Sequence, residues 1–449
     1  MIPKKIFRVS GVLLIMVLTA WFFYYSITSK IGFVYLTKDD FAIQDYAYHI
    51  ILTEQLLVNR QADIYAPAFQ FKALSSYLNT PVSIAMPVGA TPVSFFVWIP
   101  FGVLAHYNLS FSYTLWVVVS ISVLILSLWK IFRQSSYPPF PPRARPIVPL
   151  VFIVLTILIV SGPVAALLGQ TSILAAGLIS LLLYYIHAGR DNGFDNNRMI
   201  ITALVCLSAL KPTYLLISVG ILLIYQRKRE FFAASAVLAV FLAAVTPFLT
   251  IHWVASYITN ITMYFSGNFP DFYAWSVVPE AMNTFAGVWG DVLGRKNANG
   301  LSMILLIMCW IWIGCSACRR FRIRFHRLSL NQPQSVILLI AGCLLFSPHS
   351  GVYEDLLLIP VFVVIGLYKP GIRMGNWRVI LLGGCLVASM FHFIPFPAVW
   401  SRFFLLFKAA VPGLAMSLVS DREDRLRFKD GVPACGPPRS IRPDGRETT

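Results

Sequence analysis

Three aspartates near the amino end of the chain, Asp39, Asp40 and Asp45, are the first candidates for chemistry. They follow the end of an apolar run, 9–28, so they lie close to the lipid surface if that run spans a membrane. A carboxylate at this height could act as a general base that accepts the proton of an attacking hydroxyl. The structural alternative is a solvated helix start, because aspartate is favoured near the amino end of a helix.

Lys211 and two histidines are the next candidates. Lys211 precedes the helix-breaking Pro212 and could stabilise negative charge on a departing phosphate. Alternatively, its stem packs on apolar surface while its ammonium reaches water. His252 and His349 could assist with a phosphate, although an interfacial hydrogen bond would also account for a histidine at the end of a span.

The composition predicts which elements position these residues. Of the 449 residues, 57% are hydrophobic and 12% are charged, so a water-soluble fold would have too little polar surface to cover itself. A membrane helix needs about 20 apolar residues. Such runs recur along the chain and predict an all-α, polytopic membrane protein, clearest at 9–28, 112–129, 147–161, 231–251 and 301–318.

The basic residues indicate how the helices are oriented. The net charge of +17 is concentrated in four short connections, of which the densest holds five arginines between Arg319 and Arg327. Positive residues stay on the cytoplasmic side of a membrane, so these connections favour a topology rather than nucleic-acid binding. The first apolar run has no small-residue cleavage site after it and is expected to be a retained signal anchor with its amino end in the cytoplasm.

Keeping those connections on one face requires two local adjustments. The short aromatic stretch 93–105 is expected to lie in the interface or dip into the membrane. The stretch 199–225 must break at Lys211–Pro212 into two short spans. The prediction is a single membrane domain, 1–419, with about 12 transmembrane helices and both termini cytoplasmic. Its other parts are two large extracytoplasmic loops, 29–110 and 252–300, and a disordered cytoplasmic tail, 420–449.

The cysteines suggest neither a metal site nor a disulfide framework. Neither of the two large outer loops contains a cysteine. Cys315 and Cys318 have CxxC spacing, but they lack a second pair or nearby histidines, so apolar packing is the better interpretation. No cofactor is predicted, and the participation of a divalent metal is left open.

Several short motifs, in order along the chain, resemble those of the bacterial glycosyltransferase 87 family in the GT-C superfamily. The early pieces are Asp40-Phe41, Tyr46-Ala47, Asp63-Ile64-Tyr65, Pro87 to Pro92, Phe95 to Pro100 and Leu115-Trp116. The later pieces are Leu168-Gly169-Gln170-Thr171, Ala209-Leu210-Lys211-Pro212, Ser347-Pro348-His349 and Tyr353-Glu354-Asp355-Leu356. All of them lie between about residue 38 and residue 368, and four of them lie in order on the predicted outer face.

The resemblance implies an enzyme of the bacterial inner membrane. Such an enzyme takes a sugar, often mannose, from a polyprenyl phosphate carrier on the extracytoplasmic side and passes it, with inversion, to a lipid or glycan acceptor. By position, the catalytic base falls on Asp40, with Asp45 and Asp39 as fallbacks. The implied substrate-binding residues are Gln170, Lys211, His349, Tyr65, Glu354 and Asp355. For Glu354 and Asp355, a helix start paired with an outer cation is the alternative.

Two rival functions remain open from the sequence. A transporter or flippase of lipid-linked sugars would also have about 12 spans, and the break at Lys211–Pro212 is typical of transporter helices. Transporters usually carry ionisable residues at mid-membrane, whereas the predicted spans here contain almost no acidic residues. A noncatalytic assembly protein is the other rival, and it would be indifferent to Asp40→Asn.

Overall fold

The computed structural model describes residues 45–58, 62–79, 81, 90–134, 165, 169–191, 197–266, 284–318, 329–347, 352–368, 378, 381–382, 385 and 398–429. Within these ranges the regular elements are all helical, which confirms the predicted all-α class. The first helices are α1 (Asp45–Val58), α2 (Pro67–Leu78), α3 (Pro92–Tyr107), α4 (Leu109–Gln134), α5 (Ser172–Asp191), α6 (Arg198–Ser208) and α7 (Pro212–Ile224). The others are α8 (Lys228–Val245), α9 (Trp253–Ser266), α10 (Phe285–Leu293), α11 (Arg295–Ala317), α12 (Gln332–Phe346), α13 (Leu358–Tyr368) and α14 (Ala398–Lys429), and a 3-10 helix covers Val352–Leu357.

Two of the described helices are long and apolar enough to cross a membrane. They are Leu109–Ile131 of α4 and Arg295–Ala317, which is the whole of α11. Several other helices are apolar but shorter, among them α3, α7 and α12. A span needs about 20 apolar residues, and these helices are shorter. The number of about 12 spans therefore stays a prediction.

The break predicted within 199–225 is confirmed. Helix α6 ends at Ser208 and α7 begins at Pro212. Proline fixes its own φ and disfavours the helical conformation for the residue before it, and Lys211 is accordingly extended at φ −130° and ψ 150°. A lysine is therefore presented at a chain bend between two apolar helices.

Helix α5 forms the centre of the helical core. It packs against α4, α6 and α13, and it is buried on almost all sides over its first fourteen residues. Gly177 lets α5 pack closely on α4, because a Cβ atom at this position would lie 3.0 Å from the backbone Cα of Leu124. Close packing of two backbones places the start of α5, and the turn before it, rigidly against α4.

The two predicted outer loops contact each other. Helices α1 and α2, with the turn between them, come from the first loop, and α9 comes from the second. Ser256 donates a hydrogen bond to Asp63 Oδ2 at 2.6 Å, and Asn260 Nδ2 donates to the carbonyl of Tyr65 at 3.1 Å. These bonds hold α9 against the turn that follows α1.

Two helices extend across boundaries that the sequence predicted, and the boundaries themselves stay predictions. Helix α11 begins at Arg295, so it starts inside the predicted loop 252–300. Helix α14 continues to Lys429, so it enters the predicted tail 420–449. The rest of the predicted tail lies outside the described residues.

Candidate active site

The Lys211 turn is fastened to the start of α3. The backbone N–H of Thr91 donates to the carbonyl of Leu210 at 3.2 Å, and the Thr91 hydroxyl donates to the carbonyl of Ala209. These bonds satisfy two carbonyls that the end of α6 leaves without helical partners. The position of Lys211 is therefore set by three elements, α3, α6 and α7.

The ammonium of Lys211 is held by groups from two distant parts of the chain. Its Nζ donates to Gln170 Oε1 at 3.1 Å and to Glu354 Oε1 at 3.0 Å. The hydroxyl of Tyr214, one turn further along α7, donates to Glu354 Oε2 at 2.8 Å. Glu354 and Tyr214 are buried, whereas the Lys211 side chain keeps 23% of its surface exposed. The result is a cation that is fixed in place by a buried carboxylate and still reaches solvent.

Gln170 lies in a tight turn that precedes α5. Gly169 has φ +60°, its carbonyl accepts from Trp116 Nε1 at 2.9 Å, and the N–H of Gln170 donates to the carbonyl of Ala165 at 2.8 Å. The side-chain oxygen of Gln170 faces the ammonium, which leaves its amide nitrogen on the other side. Gln170 Nε2 is buried, and no described group accepts a hydrogen bond from it. An unpaired buried donor costs about 1–3 kcal/mol, so this amide nitrogen is suited to donate a hydrogen bond to an acceptor atom of a bound substrate.

A small cleft that opens to solvent lies over these residues. Helix α1, α3 and the two turns all contribute to its lining, which consists of Tyr46, His49, Trp98, Gly169, Gln170, Thr171 and Lys211. The lining therefore combines aromatic side chains with hydrogen-bonding groups and a single positive charge. Such a surface suits a ligand that combines an apolar or sugar face with an anionic group.

His49 is a lining residue that sequence reasoning missed. Its ring stacks on Trp98, with the centroids 4.5 Å apart and the planes at 18°. Burial, and secondarily the positive charge of Lys211, lower the pKa of His49 to about 3, so the imidazole is neutral at physiological pH. The spacing of Tyr46 and His49, three residues apart on one helix, was the signal that could have placed both on one face.

The predicted substrate-binding residues separate into two groups. Gln170, Lys211 and Glu354 are brought together as described above. Asp355 instead pairs with Lys408 of α14 at 2.5 Å, where both side chains are almost completely buried. Tyr65 is also buried, and its hydroxyl donates to the carbonyl of Ala90 at 3.2 Å. Asp355 and Tyr65 do not line the cleft, and their contacts stabilise the packing of the helices instead.

The predicted catalytic aspartates lie before or at the start of α1. Asp45 is the first residue of this helix, and the next residue, Tyr46, lines the cleft. Asp39, Asp40 and His349 lie outside the described residues. Among the described residues, no group of three or more His, Cys, Asp or Glu side chains could hold a metal ion.

Gly169→Ala is expected to lower the free energy of unfolding by roughly 1–3 kcal/mol and to reduce any activity of the cleft. An alanine Cβ would lie 2.3 Å from Tyr46 Cβ, in a backbone conformation that favours glycine. The measurement is the thermal unfolding midpoint of the purified protein. The matched control is Gly294→Ala, which has a similar φ of +75° but no atom within 4 Å of the new Cβ. Equal losses in both variants would show that crowding against Tyr46 contributes nothing.

The comparison with protein families matches this chain to one of them. The model of glycosyltransferase family 87 matches residues 91–348, which is more than half of the chain. The matched segment contains Gln170 and Lys211 but ends before Glu354 and Lys408. Neither a curated protein nor a solved structure matches the chain.

Proposed function

Because the chain belongs to glycosyltransferase family 87 and is thus a membrane glycosyltransferase, we propose that it uses a polyprenyl-phosphate sugar as its donor. The group transferred is a hexosyl group, with mannosyl as the first candidate. The acceptor is a glycolipid or glycan on the extracytoplasmic face of the membrane. The transfer proceeds in one step and inverts the anomeric configuration.

The observation that carries this proposal is the fixed, partly exposed ammonium of Lys211 at the cleft. When the bond between the anomeric carbon and the phosphate oxygen breaks, the electron pair stays on the phosphate and its negative charge increases. A cation that is already positioned stabilises this charge without reorganisation at the moment of reaction. Lys211 is suited to this task because Glu354 and Gln170 hold it in place.

Glu354 acts in this scheme through Lys211. Both of its carboxylate oxygens are within hydrogen-bond distance of the Tyr214 hydroxyl, at 2.9 and 2.8 Å. With one oxygen also on the ammonium, the carboxylate is oriented from two sides. We therefore assign Glu354 as a positioning residue for Lys211, and we assign Gln170 to the hydrogen bonding of substrate. His349 remains a proposed helper for the phosphate.

The general base in this proposal is Asp40, with Asp45 and Asp39 as alternatives. Its carboxylate accepts the proton of the acceptor hydroxyl while the hydroxyl oxygen attacks the anomeric carbon from the face opposite the phosphate. Support comes from the position of Asp45, because the residue after it lines the cleft. Asp45 is thus the sequence neighbour of a residue that lines the cleft, and this supports the choice of these aspartates.

Sugar transfer from a radiolabelled polyprenyl-phosphate donor in membranes tests the proposal. The variants Asp40→Ala and Asp45→Ala are compared with the wild type at equal protein levels, and loss of the base is expected to lower the rate about 100- to 10,000-fold. The control is Asp291→Ala, which removes an exposed carboxylate on α10 that pairs with Arg402. Undiminished transfer in both test variants would remove these aspartates from the mechanism.

A further inference from the structure

His49 has a polar atom for which the described part of the chain supplies no partner. Its Nδ1 is buried, and no described group forms a hydrogen bond with it. The stack on Trp98 determines the plane of the ring, and α1 determines the position of its Cα atom. The imidazole is therefore held in one orientation beside the cleft by contacts that do not use its hydrogen-bonding capacity.

Gln170 contributes a second polar atom that no described residue pairs with, and it lines the same cleft. Its Nε2 can only donate, and Lys211 is likewise only a donor. These residues come from separate elements, namely the turn before α5 and the turn before α7, while His49 comes from α1. A ligand that accepts a hydrogen bond from Gln170 Nε2 must supply an acceptor atom, and one that carries negative charge would also be attracted to the Lys211 ammonium beside it. A phosphate group meets both conditions.

We propose that His49 is a third residue that contacts the donor phosphate, through a hydrogen bond from Nδ1–H to a phosphate oxygen beside Lys211 and Gln170. This inference rests on the proposed function. A ligand with only acceptor oxygens selects the imidazole tautomer that carries its proton on Nδ1. Because the ring is neutral, it adds a donor to the subsite without adding a second positive charge.

Two substitutions distinguish the contribution of the His49 hydrogen bond from the contribution of its aromatic ring. His49→Phe keeps an aromatic ring that can stack on Trp98 and removes both nitrogens. His49→Asn removes the ring but places an amide donor near the position of Nδ1. If the hydrogen bond is what matters, the asparagine variant retains more phosphate affinity than the phenylalanine variant. If only the stack matters, the order is reversed.

The experiment measures the binding of farnesyl phosphate, with farnesol as the uncharged counterpart, to the purified full-length protein in lipid nanodiscs. His49→Phe is expected to weaken farnesyl phosphate binding about 3- to 10-fold and to leave farnesol binding unchanged. The matched control is His106→Phe on α3, whose exposed imidazole lies 2.9 Å from Glu54, and it should bind both probes like the wild type. Thermal unfolding midpoints check that each variant is folded, and His49→Leu replaces His49→Phe if the latter does not fold.

The outcomes distinguish this inference from the proposal on which it rests. Wild-type protein that prefers farnesyl phosphate, with a preference that Lys211→Met abolishes and His49→Phe leaves intact, would overturn the role of His49 alone. Wild-type protein that binds the two probes equally would overturn the phosphate subsite as a whole. A loss in His49→Phe with partial retention in His49→Asn would support the hydrogen bond.

Discussion

Lys211→Met is expected to reduce sugar transfer about 100- to 1,000-fold, the range observed when a fixed donor to a developing negative charge is removed. Methionine is similar in length, so it preserves much of the packing of the stem but cannot stabilise the phosphate. The measurement is the rate of transfer from a saturating polyprenyl-phosphate donor, which reports the chemical step more directly than donor affinity does.

Two further variants make this prediction specific. Lys72→Met removes an exposed lysine from α2, in the same predicted outer loop, and should leave the rate unchanged. Lys211→Arg retains the charge, but its planar head does not reproduce the geometry in which Nζ lies 3.1 Å from Gln170 and 3.0 Å from Glu354, so partial activity is expected. Full activity of Lys211→Met would contradict the assignment of this residue to the leaving phosphate.

Lys408→Met is expected to lower the free energy of unfolding by about 3–5 kcal/mol, because it leaves the carboxylate of Asp355 in the protein interior without its cation. The two side chains are 0% and 1% exposed, and their charged atoms lie 2.5 Å apart. The loss should be visible as a lower thermal unfolding midpoint in detergent. Activity should fall as well, since Asp355 is the neighbour of Glu354 in the 3-10 helix.

Helix α14, which carries Lys408, also supplies the control. Arg402 of α14 pairs with Asp291 at 2.8 Å, but these side chains are 27% and 51% exposed. Exposed pairs contribute about 0–1 kcal/mol, so Arg402→Met should have little effect on stability. In the double variant Asp355→Asn/Lys408→Met no unpaired charge remains, and part of the stability should return. Equal stability of Lys408→Met and the wild type would show that this pair does not anchor the 3-10 helix.

Much of the architecture near the site could be predicted from local rules. The apolar composition predicted a helical membrane protein, and the Lys211–Pro212 dipeptide predicted a helix break that the structure contains. Both predictions depend on properties of neighbouring residues, namely hydrophobicity and the restricted backbone of proline. The ordered motifs predicted the family, and the family comparison confirms it.

The partners of individual side chains could not be predicted in this way. Glu354 and Asp355 are neighbours of similar chemistry, yet Glu354 pairs with Lys211 and Asp355 with Lys408. Sequence reasoning treated both as candidates for substrate because nothing local distinguishes them. The distinction arises because the two side chains point in different directions from the 3-10 helix. One reaches Lys211 before α7 and the other reaches Lys408 on α14. His49 was missed because the stack on Trp98 and the cleft beside it form only when α1 packs on α3.

The sequence by itself determined the class, the family and one chain bend, because these follow from composition, motif order and the backbone restriction at Pro212. The tertiary structure alone decided which of the polar residues share a cleft. A hydrogen bond requires its two atoms to lie within about 3 Å of each other. For Lys211 and Glu354, which are 143 positions apart, that distance depends on the packing of all the helices between them.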